Sequence, residues 1–125
     1  MTKQNSSYVD GFVLVVPKKK FDEYKKMAKE GAKIWKKYGA LDYKECAIDD
    51  STPPHIKFTF AKMTKAKAGE QVWFSYITFR SRAHRDQVNK KVMAYMSEKY
   101  KDAKDISMPF DMNKMAYAGF KVIVS

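Results

Sequence analysis

Residues 8–16, YVDGFVLVV, restrict the possible folds more than any other stretch of the chain. Successive side chains of an extended strand point to opposite sides, so Phe12, Leu14 and Val16 share one face and Val9, Val13 and Val15 the other. A strand that is apolar on both sides belongs inside a sheet covered above and below. Pro17 closes it, because proline has no amide hydrogen with which to continue a ladder.

The periodicity then changes. From Lys19 the positions Phe21, Tyr24, Ala28, Gly31, Trp35 and Tyr38 recur at spacings of three and four, which predicts an amphipathic helix with Gly39 as its C-terminal cap. Residues 40–48 alternate Leu41, Tyr43, Glu45 and Ala47 against Asp42, Lys44, Cys46 and Ile48, the pattern of a second strand. Asp49, Asp50, Ser51, Pro53 and Pro54 break it. An edge strand is expected in IKFTFAKM, residues 56–63, before a polar turn around residues 67–70. A third main strand is predicted from Gln71 to Arg80, with Ser81 as N-cap of a helix whose inner line is His84, Val88, Val92 and Met96. That helix should fray near Tyr100, and after an irregular, methionine-bearing stretch at 105–115 a last strand is expected over 116–124.

The order strand, helix, strand, strand, helix, strand predicts an α+β fold, a ferredoxin-like βαββαβ antiparallel sheet with both helices on one face. No repetitive, Pro-rich or Gly/Ser-rich linker divides the chain, so residues 1–125 are read as a single domain with a flexible N-terminus over 1–7. Helices on one side leave the apolar residues of the other sheet face wet. The simplest cover is a second copy of the same sheet, and a homodimer joined through that face, a dimeric α/β barrel, is expected.

Lys and Arg number 25 against 14 Asp and Glu, a net charge of +11 that favours polyanions or acidic membrane surfaces. Nine of these charges, however, are lysines between Lys18 and Lys37, interleaved with apolar positions at helical spacing, which is how a solvated helix face reads. Nucleic acid is therefore not the expected partner. A single Cys46 excludes an intramolecular disulfide and, with no apolar targeting segment at the N-terminus, points to a cytoplasmic setting. No run of about 18 apolar residues predicts a transmembrane helix or a membrane partner.

Four blocks in order, YVDGFVLVVPKKKFDEYKKMA, GALDYKE, FSYITFRSRAHRDQVNKKVMA and MPFDMNKMAYAGF, resemble the YbaA-like family of small bacterial proteins of unknown function. The resemblance runs from about Tyr8 to Val124 and is weakest at 51–69. It implies a ferredoxin-like domain of the dimeric α/β barrel type, a class that holds cofactor-free monooxygenases, isomerases, haem-handling enzymes and plain ligand sensors, and so it implies no particular activity.

Candidate ligand-binding residues are Asp10, Trp35, Tyr43, Glu45, Tyr76, Arg80, His84, Arg85 and Asp86. His84, near the positive end of the helix dipole beside Arg80, Arg82 and Arg85, suits a general base or an anion site; the plainer reading is a buried structural histidine with Asp86 complementing the helix start. Tyr43 and Glu45 share a face of the second strand, and Asp10 shares a face with Phe12. A carboxylate among aromatics suits proton transfer, whereas the alternative is pairing with one of many lysines. In the resembling barrels the pocket lies between sheet and helices, which implies that Trp35 and His84 face it. His55, His84 and Cys46 lack partners at ligand spacing, so no metal and no cofactor is expected. Met108, Met112 and Met115 read as adaptable packing.

An RNA-binding alternative places Phe74, Tyr76 and Phe79 as a stacking platform, but Val72 and Trp73 stand where such a motif has a basic residue and a glycine. The expected function is binding of a small organic ligand between helices and sheet. The alternatives are a cofactor-free monooxygenase- or isomerase-like enzyme and an RNA-binding domain using the third-strand aromatics.

Overall fold

The computed structural model describes residues 6–103 and 107–125. In chain order the elements are β1 (Tyr8–Pro17), a 3-10 turn (Lys18–Lys20), α1 (Phe21–Lys37), β2 (Asp42–Ala47), α2 (Phe60–Thr64), β3 (Glu70–Phe79), α3 (Arg82–Lys99), a 3-10 turn (Met112–Lys114) and β4 (Ala116–Lys121). The sheet runs β2-β3-β1-β4, antiparallel throughout, which is the ferredoxin-like α+β arrangement with one short helix added between β2 and β3.

Register sorts the sheet into two faces. Tyr8, Asp10, Phe12, Leu14 and Val16 of β1 lie level with Phe79, Ile77, Ser75, Trp73 and Gln71 of β3, and this side packs against α1 and α3. Ile34, Val88 and Val92 fill one end of that layer with Tyr8, Ile77 and Phe79; Tyr24 and Ala28 fill the other with Leu14, Val16 and Trp73. Each fully buried aliphatic side chain here contributes about 1.5–3 kcal/mol relative to an exposed one. The helix ends follow the local sequence. The Ala40 and Gly39 amides donate to the carbonyls of Trp35 and Lys36, and Gly39 sits at φ 117°, a left-handed conformation that suits glycine. Ser81 Oγ accepts the His84 amide at 3.0 Å and so starts α3.

The opposite face is only partly covered. Val15 and Val72 on that side are buried where α2 packs on β1 and β3, whereas Phe74 and Phe120 are exposed and Val9, Val13 and Tyr76 are half-buried. Here one expectation is corrected: residues 56–63 contain no strand. Thr59 Oγ1 accepts the Lys62 amide, and Lys65 at φ 57° closes the turn in the left-handed region, so local capping makes α2 a single short helix. Ile56 and Phe58 remain exposed.

At the N-terminus, residues 1–5 of the expected flexible segment lie outside the described residues. Ser7 is already tied to the sheet, its amide donating to the Phe79 carbonyl and its carbonyl accepting from Val122. Residues 105 and 106 of the expected irregular stretch likewise lie outside the described residues. β4 ends at Lys121, shorter than the strand expected over 116–124.

Candidate functional site

The packing between helices and sheet is incomplete, and a cleft of about 1080 Å³ remains. Its floor is the helix-facing side of three strands: Phe12 and Leu14 of β1, Tyr43 and Glu45 of β2, Ser75 and Ile77 of β3. From α1 come Tyr24, Ala28, Gly31 and Trp35, and from α3 Met93 and Met96. Phe110 and Met115, from the segment leading into β4, add further apolar wall. Across the mouth Lys99 Nζ of α3 donates to Glu30 Oε1 of α1 at 2.8 Å. The mostly apolar lining with a few converging polar groups is that of small-molecule sites, and the volume lies just above their usual range of about 300–1,000 Å³.

The polar end is built around one carboxylate. Tyr24 Oη donates to Glu45 Oε1 at 2.8 Å, and Tyr43 Oη donates to Glu45 Oε2 at 2.6 Å. Burial, then the Glu45 charge, pushes both phenols well above the ordinary tyrosine range, so they stay protonated and keep donating. The β-strand alternation puts Tyr43 and Glu45 on one face; the absence of a side chain at Gly31 lets the Tyr43 hydroxyl approach α1, where an added Cβ would lie 2.9 Å from it. A second hollow, of about 330 Å³ between α1 and the β2 edge, shares Ala28, Tyr43 and Glu45 with the first.

A separate network occupies the other end of the layer. Asp10, 1% exposed, accepts from Arg85 Nη1 at 2.8 Å and from Asn89 Nδ2 at 3.4 Å. Arg85 also donates to Asp86 Oδ1 at 2.8 Å and to the Tyr117 hydroxyl at 2.6 Å, and its guanidinium lies over the Tyr8 ring. Asn89 Oδ1 in turn accepts from Trp35 Nε1 at 3.0 Å, and Tyr117 stacks on Phe12, so this network reaches the cleft through the backs of two rings that line it. Gly119 leaves room for Tyr8 and Arg85, since a side chain there would run into both.

The nine sequence candidates therefore do not form one cluster. Trp35, Tyr43 and Glu45 line the cleft, whereas Asp10, Arg85 and Asp86 belong to the ion-pair network and Asp10 is sealed within it. His84 is not at the cleft. Its Nδ1 accepts the Arg80 amide at 3.0 Å, its ring packs edge-on to Phe79, and Nε2 faces Gly39. Burial, with Arg80 next, lowers its pKa and favours the neutral ring, which locks the turn from β3 into α3. The Arg80 side chain is exposed beyond the strand end, and Tyr76 points to the opposite sheet face, because it follows Ser75 by one residue. Phe79 is likewise separated from Phe74 and Tyr76: it is fully buried under the helices, so the three aromatics share no platform.

Sequence reasoning passed over Tyr24, Gly31 and Asn89 as ordinary helix positions. A tyrosine and a glycine seven residues apart on the inner face of α1, opposite a Tyr-x-Glu strand, was the available signal for the first two. For Asn89 no local pattern exists. Among the described residues no three His, Cys, Asp or Glu side chains converge as a metal would require.

Comparison with known proteins places these features in context. A family model described as "Protein of unknown function (DUF1428)" matches residues 7–112. The uncharacterized protein YbaA of Escherichia coli (strain K12) is 42% identical over 118 residues, covering 94% of this chain and 97% of that protein, and YbaA of Shigella flexneri matches to the same extent. Among solved structures, a dimeric ferredoxin-like protein from an uncultured marine organism superposes with a TM-score of 0.53 over 95% of this chain and 98% of that one, at 11% identity.

Proposed function

We propose, from the premise that this chain belongs to the DUF1428 family of proteins of unknown function, that it binds a small organic ligand in the cleft between helices and sheet and does so as a homodimer. The observation that carries this reading is the cleft itself: about 1080 Å³, mostly apolar, with Glu45 and two tyrosines converging at one end. The dimer is supported by the exposed Phe74 and Phe120 on the opposite face, the one that two sheets would bury between them, and by the dimeric description of the structural neighbour. The exposed free thiol of Cys46 supports a reducing, cytoplasmic setting.

Turnover, of the cofactor-free monooxygenase or isomerase kind, is a second reading that rests on the same carboxylate. Glu45 is a carboxylate that faces the cleft at its aromatic end, whereas His84 is turned away from it.

A thermal-shift screen of small acids, phenols, amines and quinones tests the binding function. Saturation at a hundred times Kd raises apparent stability by about 2.7 kcal/mol. A ligand in the cleft also changes the fluorescence of Trp35, which lines it. Compounds that raise the melting temperature and alter that emission together are the expected result; no shift with any class sinks the proposal.

A further inference from the structure

The polar end of the cleft has a direction. A phenol carries one proton, and both Tyr24 and Tyr43 commit theirs to Glu45. Trp35 commits its indole N–H to Asn89. An ionised carboxylate has acceptor sites only, about four of them, and the two phenols occupy two. What faces an incoming molecule at this end is therefore oxygen lone pairs and negative charge. Ser75, on the floor, carries a hydroxyl that works in either direction.

The mouth carries charges of both signs and is distinct from the Glu45 end. Lys99 is paired with Glu30, and Lys101 donates to Glu98 at 2.9 Å, while Glu23 lines the cleft alongside Lys26. Much of the remaining lining is carbon and sulfur, Phe12, Leu14, Ile77, Met93, Met96 and Phe110 among it, and the hydroxyls of Ser97, Tyr100 and Ser107 belong to α3 and the segments after it rather than to the Glu45 end. An acceptor-only head group brought against Glu45 would leave lone pairs facing lone pairs, and an anion would add like-charge repulsion in a partly dry site.

On the reading that the cleft holds a small organic ligand, we infer that it selects molecules with an apolar body and a hydrogen-bond-donating head, uncharged or cationic, which Glu45 accepts, and that it rejects carboxylates and acceptor-only heads. Burial and the Glu45 charge hold both phenols above their usual range, so this direction persists across neutral pH.

Four probes sharing one apolar body decide the matter: 4-hexylphenol, 4-hexylaniline, 4-hexylanisole and 4-hexylbenzoate, titrated calorimetrically against the unaltered chain. The phenol and the aniline are expected to bind about tenfold or more tighter than the anisole, the difference a donor to a charged acceptor makes, with the benzoate weakest. Equal binding of phenol and anisole, or preference for the benzoate, overturns the inference while leaving the cleft reading intact. No binding by any of the four takes both down. In Glu45→Gln, which keeps the volume and adds an N–H, the preference for phenol over anisole is expected to shrink to under about threefold. An undiminished preference there overturns the assignment to Glu45. Should that variant fail to fold, the four-probe series on the unaltered chain decides alone.

Discussion

Gly31 lies in the middle of α1, where alanine would raise helix propensity by about 1 kcal/mol. It nevertheless faces Tyr43 so closely that a Cβ would stand 2.9 Å from the hydroxyl, and that hydroxyl is held by Glu45 at 2.6 Å. Gly31→Ala is therefore expected to displace Tyr43 from Glu45. Losing a hydrogen bond to a charged group costs about 1.5–3 kcal/mol, which outweighs the propensity gain. A lowered urea midpoint is the expected outcome, with donor-headed ligands binding differently; a raised midpoint would show that Tyr43 gives way freely. His84 sets a pH dependence of the opposite residue type. Its folded pKa lies below the ordinary 6.5, so the unfolded chain takes up a proton first as pH falls. The stability it contributes is present above about 6.5 and is lost as pH drops through the folded value. Urea midpoints measured from pH 7.5 to 5.5 should fall for the unaltered chain and fall less for His84→Asn. Glu30, Asp42 and Glu70, all shifted down by lysine or amide partners, act in a lower window, below about 4.5.

Among the elements, α3 is fastened to the sheet by charge as well as by its apolar line. Asp10 on β1 receives Arg85 and Asn89 from α3, and Arg85 reaches on to Tyr117 of β4. Asp10→Asn leaves the guanidinium, 12% exposed, without its buried counter-charge. The expected loss is about 3 kcal/mol, the low end for a broken buried pair, since Asp86 and Tyr117 remain. Chemical denaturation checks it, and a loss under about 1 kcal/mol would mean that water already screens the pair. The same element shows what a sequence carries and what it hides. The alternation of β1, the three-and-four spacing of α1 and the Ser81 cap are local signals, and the elements they predicted are present to within a residue or two. Tyr43 and Glu45 shared a legible strand face for the same reason. The partners of Glu45 and Asp10 were not legible, because Tyr24, Arg85 and Asn89 arrive from helices, and which strand residue each meets is set by tertiary packing rather than by local spacing. Residues 56–63 failed differently: alternation suggested a strand, and the Thr59 cap with the Lys65 turn outweighed it.

For the whole molecule, the proposed dimer makes a demand that the single chain does not. Phe74 and Phe120 contribute little to one domain, being 45% and 56% exposed. A stable interface removes about 800 Å² per partner from water, and these rings lie on the face that would supply it. Sedimentation at micromolar concentration should therefore give a dimer for the unaltered chain and a folded monomer for Phe74→Lys combined with Phe120→Lys. A monomeric unaltered chain would end that reading. The position of β1 has another consequence, for how the chain comes to be folded. β1 is central in the sheet, yet it pairs with β3 on one side and on the other with β4, where Val9 meets Phe120. During synthesis this doubly apolar strand leaves the ribosome before β2, β3 and β4 and acquires its last neighbour only when β4 has followed. Such long-range pairing slows folding and leaves sticky edges waiting. The segment that most firmly defines the finished sheet is thus one whose edge must stay shielded in the nascent chain until β4 arrives.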